Sequence, residues 1–409
     1  MSIDSYNPEH WTVSSNSALK IAIVDEVRSI QFHPTFTYPI FGEHEQIFGY
    51  FNLEINLAFN STTMLPLLGF KFSEKLPDSA DLEDPQEKIF SFLPKGSTIV
   101  NDESKWAEEY EKELASFKIP GTLVGEYNTV DGKEFGVYKS PLSNAKTKEF
   151  HRRIQIFVLL FIEAGSYIDE TDDKWDYYFI FEKKSATNPH PKFIGFTTVY
   201  SYWKYPGHEA YDSGDKLELL VRKKISQFII LPPYQGKRHG EHLYKTLVDD
   251  WLRDEKISEI VVEDPSEAFD DLRDRCDLER LSSEAFFKSS NFPTIPVPDE
   301  VIISKQVEQK IEKRQFARCL EMGLLHENRV HGSKKMEKDI RLQIKKRLYI
   351  KNKEALQGLE EADKLDKLQT AYERLVEDYE RIMEKVKFSD KRGSEATSEE
   401  APEQKRMKH

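Results

Sequence analysis

Two short stretches of the chain carry residue types that could do chemistry. The first is Gln235–Gly240, read Gln-Gly-Lys-Arg-His-Gly, which lies between a predicted strand and a predicted helix. Backbone N–H groups at a helix N-terminus are unpaired, and glycine lets a ligand approach the backbone, so such a turn can hold an anionic pyrophosphate. Most strand-to-helix turns that contain glycine are plain connections, and this turn alone does not decide between the two.

The second stretch is a pair of carboxylates, Glu263 and Asp264, at the end of an apolar strand. A carboxylate whose pKa is raised by burial or by a neighbouring carboxylate can act as a general base. The same pair could instead form a strand-end turn that caps the helix after Pro265. Glu163 ends another very apolar run, where an unpaired charge is costly, and is either a third reactive carboxylate or a surface acid.

The sequence around these residues alternates between strand and helix patterns. Runs rich in aromatic and β-branched residues predict strands, and a longer apolar run without Gly or Pro predicts a helix. After Gly240, the apolar residues Leu243, Leu247 and Trp251 form one face of a helix. We therefore predict an α+β fold with a mixed central sheet. The predicted helices include 146–163 and one opened by Pro265, and the predicted strands are 177–182, 193–202, 225–231 and 257–262.

Composition divides the chain into five parts. We predict a small N-terminal α/β domain at 1–120, the mixed-sheet domain at 121–275, helical regions at 276–333 and 334–388, and a disordered tail at 389–409. Apolar residues in the second helical region alternate spacings of three and four. This predicts either a coiled coil or helical hairpin, or one amphipathic helix packed on its own domain. The residues are Leu365, Leu368, Tyr372, Leu375, Tyr379, Ile382 and Val386.

The net charge of −13 is unevenly distributed. Residues 334–409 hold 20 basic and 17 acidic residues, whereas residues 1–333 carry a net charge of −16. Such an acidic part repels DNA phosphates and attracts cationic partners, although ordinary solubility charge gives the same composition. We found no run of about 18 apolar residues and no secretion signal. The cysteines, Cys276 and Cys319, are too few for a disulfide framework or a cysteine zinc site. We expect no direct DNA binding, no membrane, no metal and a reducing compartment.

The Gln235-x-x-x-x-Gly240 turn is accompanied by further segments in a fixed order. They are Trp11, 36–40, 161–164, 200–205, 225–234, 262–266 and 269–275. Together they resemble the catalytic subunit of the type B histone acetyltransferase in its fungal form, within the GNAT superfamily. The coenzyme A loop of that superfamily has the pattern Gln/Arg-x-x-Gly-x-Gly/Ala. The resemblance covers roughly residues 5–330, and the helical extension after about residue 334 lies outside it.

The resemblance implies a GNAT-type fold and direct transfer of an acetyl group from acetyl-coenzyme A in a ternary complex. The implied substrate is a lysine in the N-terminal tail of newly synthesised, free histone H4, before chromatin assembly. A lysine ammonium has a pKa near ~10.4 and must first lose a proton. The resemblance gives that task to Glu263, with Glu163 and Asp264 sharing it. A covalent intermediate on Cys276 is not expected, because the sequence places no His near it.

The resemblance also implies binding residues. Backbone groups of Phe228, Ile229 and Ile230 would hold the pantetheine arm and polarise the thioester carbonyl. The remaining cofactor-binding residues are Gln235, Gly236, Lys237, Arg238, His239, Gly240, Glu241, Ser266 and Arg275. The histone tail would lie along Glu43, His44, Glu45, Trp203, Lys204 and Tyr205, where acidic and aromatic groups suit a lysine-rich peptide. The loop 206–218 is expected to face the WD-repeat histone chaperone that accompanies the family.

One residue departs from the superfamily pattern. Arg238 stands where the first glycine of the pattern is expected, and its side chain either leans outward to reach a cofactor phosphate or weakens cofactor binding. This departure leaves a second function open, a histone-binding scaffold with a degraded cofactor site. A small-molecule acetyltransferase is a third function, which the N-terminal domain and the acidic and aromatic groove disfavour.

Two basic clusters lie in the predicted tail, Lys391-Arg392 and 405–408. Their spacing matches the general form of a bipartite nuclear-import signal, and a solvated charged tail is the alternative. We therefore expect the protein in both the cytoplasm and the nucleus.

Overall fold

A computed structural model describes residues 8–77, 82–186, 188–213, 220–288, 291–292 and 294–389. It divides into two compact units, Met1–Pro265 and Ser266–His409, called here the first and the second unit. The basic clusters of the tail and residues 214–218 of the 206–218 loop lie outside the described residues. No described helix is both long and apolar enough to cross a bilayer.

The first unit begins with a five-stranded sheet. Its strand order is β3-β2-β6-β7-β9, with β2 parallel to β6 and β7 parallel to β9. Leu19 and Ile21 of β2 and Ile55, Leu57 and Phe59 of β6 are fully buried, so the core lies on these central strands. The elements are α1 (Pro8–Trp11), β1 (Thr12–Ser14), α2 (Ser15–Ala18), β2 (Leu19–Val24), β3 (Ser29–Phe32), α3 (Tyr38–Phe41), β4 (Gln46–Phe48), β5 (Tyr50–Phe51), β6 (Glu54–Asn60), β7 (Pro66–Lys71), β8 (Glu74–Lys75), α4 (Pro85–Phe90), β9 (Ile99–Val100) and α5 (Glu103–Ser116).

A six-stranded mixed sheet follows in the same unit. Its strands lie in sequence order from β10 to β15, and all pairs are antiparallel except β14 with β15. The central strand β12 is buried on both faces from Tyr177 to Phe181, which explains its unbroken run of aromatic and apolar residues. The elements are β10 (Thr122–Asn128), β11 (Glu134–Pro141), α6 (Ala145–Ile154), α7 (Ile156–Phe161), β12 (Trp175–Glu182), β13 (Lys192–Trp203), α8 (His208–Asp212), β14 (Val221–Ile230), α9 (His239–Leu252) and β15 (Ile257–Val262).

Direct bonds tie the two sheets of the first unit together. The Thr62 hydroxyl donates to the Pro191 carbonyl at 2.6 Å, and the Phe193 amide donates to the Ser61 carbonyl at 2.8 Å. Close by, Lys192 forms an ion pair with Asp25 at 2.6 Å, and both side chains are largely buried. The turn after β6 is therefore fixed to the start of β13, next to the strand that carries the candidate site.

The second unit is helical in its described part. Its elements are α10 (Glu267–Ser283), α11 (Asp299–Gln309), α12 (Lys313–His331), α13 (Lys334–Lys351), α14 (Lys353–Leu356) and α15 (Glu361–Met383). The heptad residues from Leu368 to Val386 pack into the hydrophobic core of this unit, whereas Leu365 is 60% exposed. Within this unit α15 also packs against α13, where Lys345 bonds Gln369 at 2.5 Å, so a helical hairpin and packing on its own domain are both observed.

The predicted elements need three corrections. The helix predicted for 146–163 is two helices, because Ile154 ends α6 and Gln155 intervenes before α7, and Glu163 lies in the turn beyond. Pro265 does not open the next helix. Ser266 caps it, since the Ser266 hydroxyl accepts a bond from the Phe269 amide at 3.3 Å. The domain boundary predicted between residues 275 and 276 falls inside α10, which is one continuous helix.

A buried polar cluster in the second unit gives a stability prediction. The Tyr379 hydroxyl donates to the Glu321 carboxylate at 2.7 Å, and Arg347 makes two bonds to the same carboxylate at 2.6 and 2.7 Å. We expect Tyr379→Phe to lower the free energy of unfolding by about 2 kcal/mol, because a bond to a buried charge is lost. Tyr372→Phe on the same helix is the control and should change it by less than about 0.5 kcal/mol. Equal effects of the two variants in urea unfolding would contradict the prediction.

Candidate active site

Glu263 lies where the pairing of β14 and β15 ends. The pairing runs from Val221 to Ile225 on β14, and the Glu263 amide extends it by donating to the Ile225 carbonyl at 2.9 Å. On the other edge of β14, the register with β13 shifts by one residue at Ser226, which is a β-bulge. The Ser226 hydroxyl donates to one oxygen of the Glu263 carboxylate, and the Lys224 ammonium contacts the other. The bulge thus brings a hydroxyl and an ammonium to one carboxylate.

The electrostatics of Glu263 differ from the expectation. Burial by itself would raise the pKa of the Glu263 carboxyl, but the bonds from Lys224 and Ser226 outweigh burial and lower it below its usual value. The expected raised pKa is therefore wrong for this arrangement, because its nearest charged neighbour is a cation rather than a carboxylate. Glu263 is an anion at neutral pH, which is the protonation state that a base needs before it accepts a proton.

The other two candidate carboxylates are exposed. Glu163 lies in the turn after α7, where the neighbouring Ala164 amide donates to the Tyr38 hydroxyl at 2.5 Å. The buried Gln227 side chain donates to the Ser166 carbonyl at 2.8 Å, so this turn is attached to β14 at the residue after the bulge. Asp264 follows Glu263 in a bend with a backbone φ of 36°. The turn that contains Glu163 and the Glu263 carboxylate are thus bonded to adjacent residues of β14, Gln227 and Ser226.

The predicted phosphate turn connects β14 to α9. The Gln235 side chain donates through Nε2 to the Ile230 carbonyl at 2.8 Å, which fixes the turn to the end of the strand. Gly236 has a φ of 74° and open space around the position of a Cβ atom. The first helical bond runs from the His242 amide to the Arg238 carbonyl. The amides of residues 239–241 precede it and belong to the unpaired set of a helix N-terminus.

Arg238 has the left-handed conformation that favours glycine. Its φ is 66° and its ψ is 12°, which explains why the superfamily pattern has glycine here. The Arg238 guanidinium makes two bonds to Glu241 at 2.7 and 2.6 Å, and Lys245 bonds the same carboxylate at 2.7 Å. Burial alone would raise the pKa of Glu241, but these two cations lower it to about 2. The guanidinium is therefore paired with Glu241, and its contact with a cofactor phosphate stays a prediction.

His239 does not point into the turn. The residue is 2% exposed, and its Nδ1 and the Tyr127 hydroxyl share a hydrogen bond of 2.7 Å. Burial lowers the pKa of His239 to about 4, so the ring is neutral at pH 7. Only the backbone of His239 can serve a ligand at the helix N-terminus, and the side chain anchors α9 to β10. Lys237, by contrast, lies on the surface of the turn.

The residues predicted to bind the tail differ in their surroundings. The Glu45 carboxylate accepts bonds from the Thr37 amide at 2.6 Å, the Tyr38 amide at 3.1 Å and the Asn16 side chain at 2.7 Å. These bonds, that from Thr37 first, lower the pKa of Glu45 below its usual value. Glu45 therefore holds the start of α3, whereas Glu43 and His44 are exposed in the adjoining turn.

An exposed aromatic cluster forms around two of the predicted residues. The ring centroids of Trp203, Tyr205 and Tyr211 lie 5.8 to 6.3 Å from one another, and the residues are 38%, 54% and 52% exposed. Lys204, between the first two, is half-buried. Sequence reasoning missed Tyr211, because Trp203 and Tyr205 came from the family resemblance, and the segment that carries it ends at Tyr205. It also missed Lys224 and Ser226, because polar residues that alternate with apolar ones are usual along a strand.

Two further predicted residues belong to the second unit. Ser266 is the helix cap described above. The Arg275 guanidinium lies 3.9 Å from the Asp271 carboxylate, which makes two closer bonds to Arg381, at 2.5 and 2.8 Å. Their predicted part in cofactor binding stays a prediction. Both cysteines are buried in the same unit, which is unfavourable for a covalent acetyl intermediate. Among the described residues, no three His, Cys, Asp or Glu side chains are grouped to hold a metal ion.

Comparisons with known proteins identify the family. Residues 11–163 match the family model described as Histone acetyl transferase HAT1 N-terminus, and residues 274–329 match Fungal HAT1, C-terminal. The chain is 51% identical to a histone acetyltransferase type B catalytic subunit of Debaryomyces hansenii, over 93% of this chain and 91% of that protein. It is 46% identical to the corresponding protein of Kluyveromyces lactis, over 96% of this chain and 98% of that protein. The chain belongs to the family of type B histone acetyltransferase catalytic subunits.

The family relationship extends further than the sequence motifs indicated. A match over 93% of the chain cannot be contained within residues 5–330, so it includes part of the helical extension. Among solved structures, glucosamine-6-phosphate N-acetyltransferase from Arabidopsis thaliana is 14% identical over 35% of this chain and 90% of that chain. Its TM-score of 0.22 is too low to support an argument about this chain.

The residues present fit the acetyl donor that a histone acetyltransferase of this family would use. The open space at Gly236 and the amides at the start of α9 suit a pyrophosphate. The turn also lines a cavity of about 500 Å³. The lining of this cavity holds more cations than carboxylates, so its net charge is positive, which is the sign that an anionic donor requires. The cations are Arg28, Lys133, Lys237 and Arg238, and the carboxylates are Asp131 and Glu182.

Arg238 gives a prediction with a matched pair of variants. We expect Arg238→Gly to be more stable than Arg238→Ala by about 1 kcal/mol, because only glycine adopts the left-handed conformation without a steric cost. The exposed ion pair with Glu241 is lost in both variants, so its contribution cancels. Chemical unfolding of the two purified proteins measures the difference. If the alanine variant were as stable as the glycine variant, the left-handed conformation would not be strained.

His239 gives a prediction for the pH dependence of stability. The pKa of this ring is lowered in the folded protein, so its contribution is present above the unfolded value of about 6.5 and is lost as the pH falls towards 4. We expect the loss of unfolding free energy between pH 7 and pH 5 to be smaller in His239→Asn than in the wild-type protein. His44→Asn, at an exposed histidine, is the control and should lose as much as wild type. An unchanged loss in His239→Asn would exclude the buried ring as its source.

Proposed function

We propose that this chain transfers the acetyl group of acetyl-coenzyme A to a lysine in the N-terminal tail of free histone H4. Transfer is direct, within a ternary complex of enzyme, donor and tail. One observation carries the proposal: the Glu263 carboxylate, at the end of β15, holds a lysine ammonium beside the bulge of β14. A group that deprotonates a substrate lysine has to hold an ammonium in the same way before it takes the proton.

Glu263 acts as the general base. Its carboxylate is ionised at neutral pH and oriented by the Ser226 hydroxyl, so it can accept a proton from the incoming amine. Glu163 assists from the turn that Gln227 attaches to the same strand. Asp264 shares the exposed bend with Glu263 and adds negative charge, which favours a cationic side chain at this place.

The donor lies along β14 and at the start of α9. β14 continues to Ile230 after its pairing with β15 has ended, and the segment Phe228–Ile230 supports the pantetheine arm. The turn from Gln235 to Glu241 holds the pyrophosphate through backbone amides. When it is bound, acetyl-coenzyme A supplies the thioester whose carbonyl carbon the amine attacks.

The tail is recognised by charge and by aromatic rings. The aromatic cluster of Trp203, Tyr205 and Tyr211 is exposed and suits lysine or arginine side chains through cation–π contacts. The acidic balance of residues 1–333 attracts a basic tail over a longer range. The adjoining loop 206–218 is also the proposed contact for a WD-repeat histone chaperone, and the protein works in both cytoplasm and nucleus, where free histones are made and used.

We expect Glu263→Gln to lower turnover of a histone H4 tail peptide by ~10²-fold or more, because general-base catalysis contributes about that much. Binding of acetyl-coenzyme A, measured by calorimetry, should change little. Glu163→Gln and Asp264→Asn, which also remove one carboxylate each but not the proposed principal base, should each cost less. Near-normal turnover of Glu263→Gln at neutral pH would show that the base is another group.

Mass spectrometry of free core histones incubated with the enzyme and acetyl-coenzyme A tests the substrate. Acetylation confined to other histones would exclude the histone H4 tail as the substrate. If the protein bound histones but not acetyl-coenzyme A, the scaffold function left open by Arg238 would replace the proposed one.

A further inference from the structure

The amine that Glu263 already holds belongs to the chain itself. Lys224 Nζ forms an ion pair with Glu263 Oε1, and the same ammonium lies 5.8 Å from the centre of the Tyr200 ring. Tyr200 is fixed in turn, since its hydroxyl donates to Asp172 at 2.8 Å. A carboxylate and an aromatic face are the two groups that recognise a lysine ammonium. Lys224 therefore occupies the kind of place that a substrate lysine would need.

Lys224 is also reachable and close to the donor strand. Its side chain is 26% exposed, and it lies on β14 two residues before the bulge and four before the segment proposed to support pantetheine. The neighbouring Lys223 differs in each respect. Its ammonium bonds Asp176 at 3.0 Å and Ser201 at 2.7 Å, it is 12% exposed, and its partners do not include Glu263.

We propose that Lys224 is a self-acetylation site of this enzyme. Glu263 removes a proton from the Lys224 ammonium, and the free amine attacks the thioester carbonyl carbon of acetyl-coenzyme A in the same protein molecule. A C–N bond forms and the C–S bond breaks, the departing thiolate takes up a proton, and the products are N-acetyl-lysine and free coenzyme A. The step needs no oxidant or reductant.

The modification changes the site that performs it. Acetylation turns a cation into a neutral amide, so Glu263 loses its ion-pair partner and keeps only the Ser226 hydroxyl. A substrate lysine then no longer competes with a tethered ammonium for the carboxylate. This inference rests on the proposed function, because it uses the same base and the same donor.

The experiment compares acetylation of Lys224 and Lys223 by peptide mass spectrometry of the full chain after incubation with acetyl-coenzyme A. We expect Lys224 to be acetylated at least ~10-fold faster than Lys223, at a first-order rate that does not depend on protein concentration. Glu263→Gln should lower the rate at Lys224 by ~10-fold or more. Lys224 acetylation no faster than that of Lys223, or a rate unchanged by Glu263→Gln, would overturn the proposal.

A second measurement separates self-acetylation from intrinsic reactivity of the amine. Without acetyl-coenzyme A, trace labelling with acetic anhydride reports how much free amine Lys224 presents. Here Glu263→Gln should increase labelling of Lys224, because the amine no longer forms an ion pair with a carboxylate. Opposite effects of one variant on the two reactions support the proposal. A decrease in both would mean that the variant disturbs the site, and would overturn it.

The failure of this inference can be told apart from a failure of the proposed function. A histone H4 tail peptide included in the same incubation is the internal reference. If the peptide is acetylated and Lys224 is not, the self-acetylation proposal falls and the proposed function stands. If neither is acetylated, both fall. If Lys224 alone is acetylated, the site and its base are supported and the proposed tail substrate is wrong.

Discussion

The pairing of β14 with β15 ends at Ile225 and Val262, while β14 runs on to Ile230. At about 3.3 Å per residue, the length of β14 that is not paired with β15 is roughly 16 Å. Glu263, the proposed base, follows β15 at one end of this length, and the turn into α9 follows β14 at the other. Carboxyl ends of parallel strands share one edge of a sheet, so a single crossover through α9 sets the spacing between Glu263 and the turn proposed to bind phosphate.

The charge balance at Glu263 follows from the same geometry. Lys224 and the bulge residue Ser226 direct an ammonium and a hydroxyl at the carboxylate, and these bonds lower its pKa against the effect of burial. A carboxylate held in this way is ready to accept a proton but is already occupied by Lys224. The contact with Lys224 keeps the carboxylate ionised and also occupies it, so under the proposed function a substrate lysine has to displace Lys224 as well as bind.

Much of this organisation could be predicted from sequence, since periodicity identifies β12, β13, β14, β15 and the apolar face of α9. The carboxylates at the ends of apolar runs were recognisable as well. The role of Glu45 was not, because its partners Asn16 and Thr37 come together only when α3 is formed. The partnership of Lys224 and Glu263 depends on a one-residue register shift, which alternating polarity does not encode. The burial of His239 depends on Tyr127, more than a hundred residues earlier.

Hydrogen bonds join the turn after β6 to the start of β13 through Thr62, Ser61 and Pro191. The amides of Thr35 and Phe36 likewise donate to the Leu160 carbonyl at 3.0 and 3.1 Å, at the end of α7. A fragment that began at β10 would leave that carbonyl and the start of β13 without these donors and acceptors. The six-stranded sheet therefore depends on the N-terminal region for these bonds, and fusing it to a different N-terminal region would require new partners for them.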